Sequence, residues 1–246
     1  MKAMILAAGL GTRLKPFTDD KPKALVKIGD KTLLEHTILR LKENGFTEIV
    51  VNVHHFAQMV IDFLNSNDFG VKIHISDESD WLLDTGGGIF KAVQYLNGDE
   101  PFLVHNVDII TDINLNQFYK TYSTSCNVAT LAVSKRESSR VFMFDDKLSL
   151  AGWKNNLTGK MIIPDSSRSP LTEYAFAGIH LISPEIFNLI NSKGPFSIVD
   201  AYLSLCSKYT IKGHDVSSNF VLDVGKLSSI EKAEEYLGSE KLKVKS

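Results

Sequence analysis

KAMILAAGLGTRLKP, residues 2–16, is where the fold class of this chain can first be read. Residues 2–7 form a short apolar run that ends at glycine, which is typical of a buried strand. A strand followed by Gly-x-Gly suggests a dinucleotide fold, but Leu14 stands where that fingerprint requires a small residue. Pro16 and Pro22 exclude a helix that starts within the loop, and the Gly-Lys-Ser/Thr of a P-loop is absent. The segment therefore fits neither common nucleotide-binding fingerprint.

The composition excludes several classes of protein. The chain has 246 residues, 27 Lys+Arg against 29 Asp+Glu, and 43% hydrophobic residues, the balance of an ordinary globular protein. A net charge of −2 argues against a nucleic-acid-binding surface, and no apolar run is long enough for a membrane span. Cys126 and Cys206 make no disulfide framework and suit a reducing compartment. We expect a cytoplasmic protein, monomeric or homodimeric, with no nucleic-acid or membrane partner.

Apolar runs and helical patterns alternate along the first half of the chain. Strands are predicted at 2–7, 48–53, 71–76 and 102–106, with helices at 32–44, 56–64 and 86–96. This alternation indicates a parallel sheet covered on both faces. From about Ser125, strand-like runs follow one another without a helix between each pair. We predict an α/β fold of the Rossmann-like, three-layer α/β/α type, with a mostly parallel, mixed central sheet.

The loop after the first strand is long and basic. It carries five cations and two carboxylates, a local net charge of +3: Arg13, Lys15, Lys21, Lys23 and Lys27 against Asp19 and Asp20. Glycine N–H groups can approach phosphate oxygens closely, and Arg and Lys supply positive charge. Loops of this length are uncommon unless they are functional or disordered, and open α/β sheets bind ligands at this edge. The loop predicts a site for a polyanion, with a solvated basic surface as the alternative.

Two aspartates follow apolar runs later in the chain. Asp108 comes after the run at 102–104, and Asp223 comes after the run at 220–222, so each stands at the end of a predicted strand. Two such carboxylates can supply the one or two protein oxygens that Mg²⁺ takes when phosphates and waters complete its coordination. A turn or a helix cap is the alternative for either aspartate alone. Asp112 is predicted to be such a cap, for a helix that begins at Asn114.

The loop motif GLGTRLKP at 9–16, with Pro-Lys at 22–23, resembles the signature of the sugar-phosphate nucleotidyltransferases, or NDP-sugar pyrophosphorylases. Further matches are LDTGGG at 83–88, NVD at 106–108, FAGI at 176–179 and LDVG at 222–225. The short length and the Thr-Gly-Gly-Gly motif are most similar to bacterial N-acetylmuramate 1-phosphate uridylyltransferases, and then to mannose-1-phosphate guanylyltransferases. The chain departs from the pattern at Val107, where a glycine usually stands, and at Lys226, where a threonine usually stands.

The resemblance implies a reaction, a cofactor and a domain plan. The reaction is transfer of a nucleotidyl group from an NTP, with UTP favoured, to a sugar 1-phosphate, with N-acetylmuramate 1-phosphate favoured. The products are an NDP-sugar for cell-wall precursor synthesis and diphosphate, and Mg²⁺ is the cofactor. The alternatives are mannose-1-phosphate guanylyltransferase activity, choline-phosphate cytidylyltransferase-like activity and a non-catalytic nucleotide-binding module. One domain is expected over 1–238, with a nucleotide-binding half at 1–124, a sugar-phosphate half at 125–238 and a tail at 239–246.

The resemblance also implies the roles of individual residues. Arg13 and Lys23 are the catalytic cations, and Asp108 and Asp223 hold Mg²⁺. The nucleotide would be bound by the two glycine segments, at Ala8, Gly9, Gly11, Thr12, Asp84, Thr85, Gly86 and Gly87. Because residues 85–88 open a predicted helix, their N–H groups are expected to be free to meet the base. The sugar phosphate would contact Asn106, Ala177 and Gly178, with Glu173 and Arg140 as weaker candidates.

Overall fold

The computed structural model describes residues 1–122, 127–164 and 170–243. Cys126 and the expected boundary between the two halves, at 124/125, therefore lie outside the described residues. The first part of the chain contains β1 (Lys2–Leu6), β2 (Lys27–Ile28), β3 (Lys31–Thr32), α1 (Leu33–Glu43), β4 (Glu48–Val53), α2 (Ala57–Ser66), β5 (Lys72–Asp77), α3 (Asp84–Lys91), α4 (Val93–Leu96), β6 (Phe102–Asn106), β7 (Ile109–Thr111) and α5 (Leu115–Lys120).

The second part contains β8 (Asn127–Ser134), β9 (Arg140–Phe144), β10 (Leu150–Asn155), β11 (Met161–Ile162), β12 (Thr172–Ile182), α6 (Ile186–Leu189), α7 (Ile198–Leu205), β13 (Thr210–Asp215), β14 (Val221–Asp223) and α8 (Ser228–Lys243). The last helix continues past residue 238, where the sequence places the start of the tail. Within the described residues, no helix combines the length and the apolar character that crossing a membrane requires.

The central sheet is mixed, as predicted. Its main path runs β11-β10-β9-β12-β6-β1-β4-β5, with β8 paired to both β12 and β13. Strands β6, β1, β4 and β5 are parallel neighbours, whereas β12 joins the sheet antiparallel to β6. The carboxyl ends of β1, β4 and β6 therefore meet at one edge, which is where open α/β sheets bind ligands. The predicted α/β fold is confirmed.

Alternation along β1 explains the three layers. Ala3 and Ile5 point into one hydrophobic cluster, which includes the apolar faces of α1, α2 and α8. Met4, between them, points into a second cluster on the opposite face, with residues of α3, α4 and α7. Successive side chains of a strand face opposite ways, so a strand with apolar residues at every position needs a cover on both sides.

Local sequence signals determine the bounds of α1. Thr32 caps its N-terminus, since the hydroxyl accepts a hydrogen bond from the Glu35 N–H at 3.1 Å. The predicted helix at 32–44 is confirmed within one residue at each end. The apolar face consists of fully buried residues at helical spacing, namely Leu33, Leu34, Ile38 and Leu41.

One expectation about helices is confirmed only in part, and another is wrong. The predicted helix at 86–96 begins at Asp84 and is divided into α3 and α4 at Ala92. Asp112 does not cap α5, because the Asn114 side chain accepts from the Gln117 N–H at 2.8 Å and fills that position. Instead, Asp112 accepts hydrogen bonds from the Asn219 side chain and the Phe220 N–H, at 3.0 and 2.9 Å, and so holds the segment before β14 beside β7.

Candidate active site

A cavity of about 470 Å³ opens at the carboxyl ends of β1, β4 and β6. This volume lies in the usual range for a small-molecule site. Of the residues expected to bind nucleotide, Ala8, Gly9, Asp84 and Thr85 line the cavity, whereas Gly11, Thr12, Gly86 and Gly87 do not. Lys23, Asn106 and Asp108 also line it, so some of the expected nucleotide, phosphate and sugar contacts share one cleft. Arg13, Asp223, Ala177 and Gly178 do not line it.

The basic loop folds back on itself and brings Lys23 into the cleft. The Gly11 carbonyl accepts hydrogen bonds from the Leu14 N–H and the Thr18 hydroxyl, both at 2.9 Å. These bonds form a compact turn, and the chain then continues to a second short helical turn at Lys23–Leu25. The Lys23 side chain is almost fully buried, and its ammonium group makes an ion pair with Oδ2 of Asp108.

The two predicted metal ligands are brought together by a short antiparallel ladder. Strands β7 and β14 pair so that Asp223 lies opposite Ile109, next to Asp108 in the chain. The Val224 N–H donates to the Asp108 carbonyl at 2.8 Å and extends this pairing. Residues more than 100 positions apart in sequence therefore place two carboxylates on one side of the cleft.

The electrostatics of Asp223 fit a bound cation. Burial, together with the negative charge of Asp108, raises the pKa of Asp223, while Lys23 and Arg13 oppose that rise. Its Oδ1 atom is buried and has no hydrogen-bond partner among the described residues. A side chain at Gly225 would lie 2.6 Å from this oxygen and 3.0 Å from Nη2 of Arg13, so glycine permits the close approach of these groups.

The carboxylates in this site suit Mg²⁺, which takes few protein ligands, better than they suit a metal that is coordinated by protein side chains alone. In the described part of the chain, no cluster of three His, Cys, Asp or Glu side chains could hold a metal ion. Two carboxylates, one with an unpaired buried oxygen, match the few protein ligands that Mg²⁺ takes when phosphates and waters supply the others. Asp108 and Asp223 therefore supply carboxylates of the kind that a divalent cation takes in a phosphate-binding site.

The start of α3 does not offer the free N–H groups expected from the sequence. The N–H groups of Gly86 and Gly87 donate to the Phe196 carbonyl at 2.9 and 3.2 Å. The Thr85 hydroxyl accepts from the Ile198 N–H at 3.0 Å. The expectation that Gly86 and Gly87 present their N–H groups to a base is therefore wrong, because the segment before α7 already occupies them.

The backbone of Asp84, at the start of α3, has an unusual conformation. Its φ of +58° lies in the left-handed region, which an aspartate tolerates better than most residues. Its carboxylate accepts from the Thr85 N–H at 2.6 Å. Asp84 and Thr85 line the cavity with Pro195, so side chains as well as backbone border the expected base site.

Sequence reasoning missed a buried network that joins the two glycine segments. Oδ1 of Asn52 accepts from the Ala7 N–H, and Nδ2 of Asn52 donates to Oε1 of Glu78, both at 2.7 Å. The other oxygen of Glu78 accepts from the Leu83 N–H at 3.2 Å. A Cβ at Gly88 would lie 2.7 Å from the Glu78 carboxylate, which explains the third glycine of the motif.

The only sequence signal for this network is an asparagine within the apolar run of β4. Asn52 is 2% exposed and lines the cavity, and Glu78 is fully buried. Burial raises the pKa of Glu78, opposed by its hydrogen bond from Asn52. Buried polar groups must be paired, so the network fixes the loop after β1 relative to the turn before α3.

The expected sugar-phosphate residues lie together at an irregularity in β12. The pairing of β12 with β8 shifts register between Phe176 and His180. Gly178 within it has φ +74°, and a Cβ there would lie 2.8 Å from Ile109 and 3.0 Å from Nδ2 of Asn106. Ala177 is fully buried.

The two weaker sugar-side candidates do not border the cleft. The Glu173 carboxylate accepts from the Lys154 ammonium at 2.6 Å, and Arg140 starts β9 at an exposed position. Neither residue lines the cavity described above.

A Rossmann-like sheet carries, at the carboxyl ends of its parallel strands, a cleft lined by Lys23 and Asp108, with Asp223 and Arg13 beside them. The chain belongs to the nucleotidyl transferase family, whose model matches residues 2–240. The resemblance to the sugar-phosphate nucleotidyltransferases is thereby confirmed, and the chain is an enzyme of that kind.

Relatives support this placement. The chain is 31% identical over 245 residues to an N-acetylmuramate alpha-1-phosphate uridylyltransferase of Neisseria meningitidis, covering 97% of this chain and 99% of the relative. It is 31% identical over 206 residues to a probable mannose-1-phosphate guanylyltransferase of Oryza sativa, covering 80% of this chain and 54% of that protein. The structure of HddC from Yersinia pseudotuberculosis has a similar fold, with a TM-score of 0.76 at 22% identity over 96% of this chain and 99% of that one.

Proposed function

We propose that this enzyme transfers a nucleotidyl group from UTP to N-acetylmuramate 1-phosphate, forming a UDP-sugar and diphosphate. The substrate pair is supported by the Neisseria relative, which matches nearly the whole length of both chains. The observation that carries the reaction is the convergence of Lys23 on Asp108, with Asp223 beside them and its buried oxygen unpaired. Such a centre suits the phosphates of two substrates and a shared divalent cation.

In the proposed mechanism, an oxygen of the sugar phosphate attacks the α-phosphorus of the NTP in line, and diphosphate leaves. No covalent intermediate with the enzyme is needed, so the protein acts by positioning and by balancing charge. Lys23 is buried at the centre of the cleft, where it would exchange its contact with Asp108 for phosphate oxygens. Arg13, on the exposed part of the loop, would bind the departing diphosphate. Asp108 and Asp223 would hold Mg²⁺, which would supply further positive charge for the transition state.

Lys23→Ala and Asp108→Ala test this assignment. Removal of one preorganised charge typically lowers kcat about 10²–10³-fold, and we expect at least this loss in each variant. The measurement is diphosphate release with Mg²⁺, using four NTPs against a panel of sugar 1-phosphates. Lys21→Ala is the matched control, since Lys21 lies in the same loop and makes its ion pair with Asp20. We expect it to stay within about threefold of the wild type.

The same matrix of substrates separates the alternatives. Turnover of GTP with mannose 1-phosphate would favour the activity of the Oryza relative, and turnover of CTP with choline phosphate would favour a cytidylyltransferase. A wild type that binds nucleotide but releases no diphosphate with any pair would be a binding module. Kinetics of Lys23→Ala or Asp108→Ala close to those of the wild type would reject the catalytic roles given above.

A further inference from the structure

Arg136 is a cation beside the segment of β12 that the sequence assigns to the sugar phosphate. It lies just after β8, and its side chain is exposed. Its Nη2 atom donates to the Phe176 carbonyl at 3.0 Å, at the irregularity of β12 that also contains Gly178. Gly178 lies against Asn106, which lines the cavity. The guanidinium is therefore anchored beside the expected sugar-phosphate residues, next to the residues that line the cavity rather than among them.

The charge of Arg136 acts on Asp223. Together with Lys23 and Arg13, it is one of the cations that oppose the rise in the pKa of Asp223. The three cations differ in their contacts. Lys23 is paired with Asp108, and Arg13 lies across Gly225 from Asp223. Arg136, in contrast, makes no ion pair with any carboxylate of the described residues.

A guanidinium held by one carbonyl keeps its other N–H donors available. These donors form a planar fork that matches the paired oxygens of a phosphate or a carboxylate. The phosphates of the NTP are approached by Lys23 and Arg13 from the basic loop. Arg136 lies beside β12, so its free N–H donors suit a different anionic group, one on the second substrate.

We propose that Arg136 binds an anionic group of the sugar 1-phosphate and so determines the affinity for the acceptor substrate. This inference rests on the proposed function, since it assigns a contact within the same site. The anionic group is either the 1-phosphate or a carboxylate on the sugar. The two have the same chemistry toward a guanidinium and are separated by the choice of acceptor.

Arg136→Gln should raise KM for the sugar 1-phosphate by about 10- to 100-fold, because it removes a charge-assisted hydrogen bond. KM for the NTP should change by less than about threefold. Arg136→Lys, which keeps the charge but not the fork, should lie between the wild type and the glutamine variant. Lys135→Gln is the matched control. It removes the same charge one residue away, from an ammonium that lies 5.6 Å from the centre of the Tyr174 ring.

Two acceptors identify the anionic group. An equal loss of affinity for N-acetylglucosamine 1-phosphate and N-acetylmuramate 1-phosphate would support a contact to the phosphate. A loss confined to N-acetylmuramate 1-phosphate would support a contact to its carboxylate. Unchanged affinity for both acceptors in Arg136→Gln, or an equal rise in KM for the NTP, would overturn the inference.

Calorimetric titration of both acceptors into the same variants measures this contact without turnover. The proposed function is tested separately by the wild type. A wild type that turns over no pair of substrates refutes the reaction, while its calorimetry still tests Arg136. An active wild type with an Arg136→Gln variant that behaves like Lys135→Gln refutes the role of Arg136 alone.

Discussion

Asn52→Ala removes the amide that holds the two glycine segments of the active site together. In the wild type, Asn52 accepts from Ala7 and donates to Glu78, both at 2.7 Å, and it is 2% exposed. Alanine leaves the Ala7 N–H and one oxygen of Glu78 without these partners. The perturbation acts on both sides of the cleft and leaves the cations and carboxylates unchanged.

The expected cost follows from the two groups left unpaired. A buried donor or acceptor without a partner costs about 1–3 kcal/mol, which gives a range of about 2–6 kcal/mol for the pair. Asn52 borders the cavity, so its truncation opens space through which water could replace the lost partners, and we expect the lower part of the range, about 2–3 kcal/mol. In a chain of this size, each kcal/mol of lost stability lowers Tm by about 2–4 °C, so Tm should fall by about 4–12 °C.

The assay combines thermal unfolding, followed by circular dichroism, with steady-state kinetics. Because the loop after β1 and the turn before α3 both lose an anchor, KM for the NTP should rise more than KM for the sugar 1-phosphate. Asn67→Ala is the control, since Asn67 is exposed and makes one bond of 2.7 Å to the Phe63 carbonyl. Equal Tm values for the two variants, or a lower Tm with unchanged KM for the NTP, would refute the reasoning.

Two further predictions concern stability. Burial lowers the pKa of His105 to about 4 and that of His180 to about 3, whereas a histidine in the unfolded chain has a pKa near 6.5. As the pH falls below 6.5, the unfolded chain therefore takes up these protons before the folded protein does. Each histidine should therefore remove about 1.5 kcal/mol of stability between pH 6.5 and 5. His180→Gln should reduce the pH dependence of urea unfolding by that amount, and an unchanged dependence would contradict the account. Gly178→Ala should lower the free energy of unfolding in urea by about 2–5 kcal/mol, through left-handed backbone strain and contact with Ile109. Gly159→Ala is the control, because Gly159 also has a positive φ, +73°, but no described atom lies within 4 Å of the new Cβ. It should lower the free energy of unfolding only through backbone strain, and an equal loss in both variants would refute the steric argument.

Features that depend on local patterns could be predicted from the sequence. Alternating apolar runs and helical periodicity gave the parallel core, and Thr32 marked the start of α1. Asp108 could be placed at the ligand-binding edge because it follows a strand of the central sheet, whereas Asp223 ends β14, which belongs to a separate two-stranded ladder with β7. That the two aspartates lie together was predicted from the sequence, but the ladder between β7 and β14 that brings them together was not.

Features that depend on contacts between distant segments could not be predicted. The Phe196 carbonyl occupies the N–H groups of Gly86 and Gly87, and nothing in the glycine motif signals a partner 110 residues away. Asn52 is conspicuous in an apolar strand, but its pairing with Glu78 depends on how β4, β5 and the following turn meet in space. Arg136 carries no motif at all, and its relation to the site depends on its bond to Phe176 and on its charge near Asp223.

Strand β12 limits the large-scale motions open to this enzyme. Its 11 residues pair with β6, whose last residue borders the cleft, and also with β8 and β9. Closure of one half of the molecule on the other, as in hinged two-lobe enzymes, would require this shared strand to lose its pairing. Substrate entry and product exit must therefore depend on movement of the loops at the rim, while the sheet beneath stays rigid.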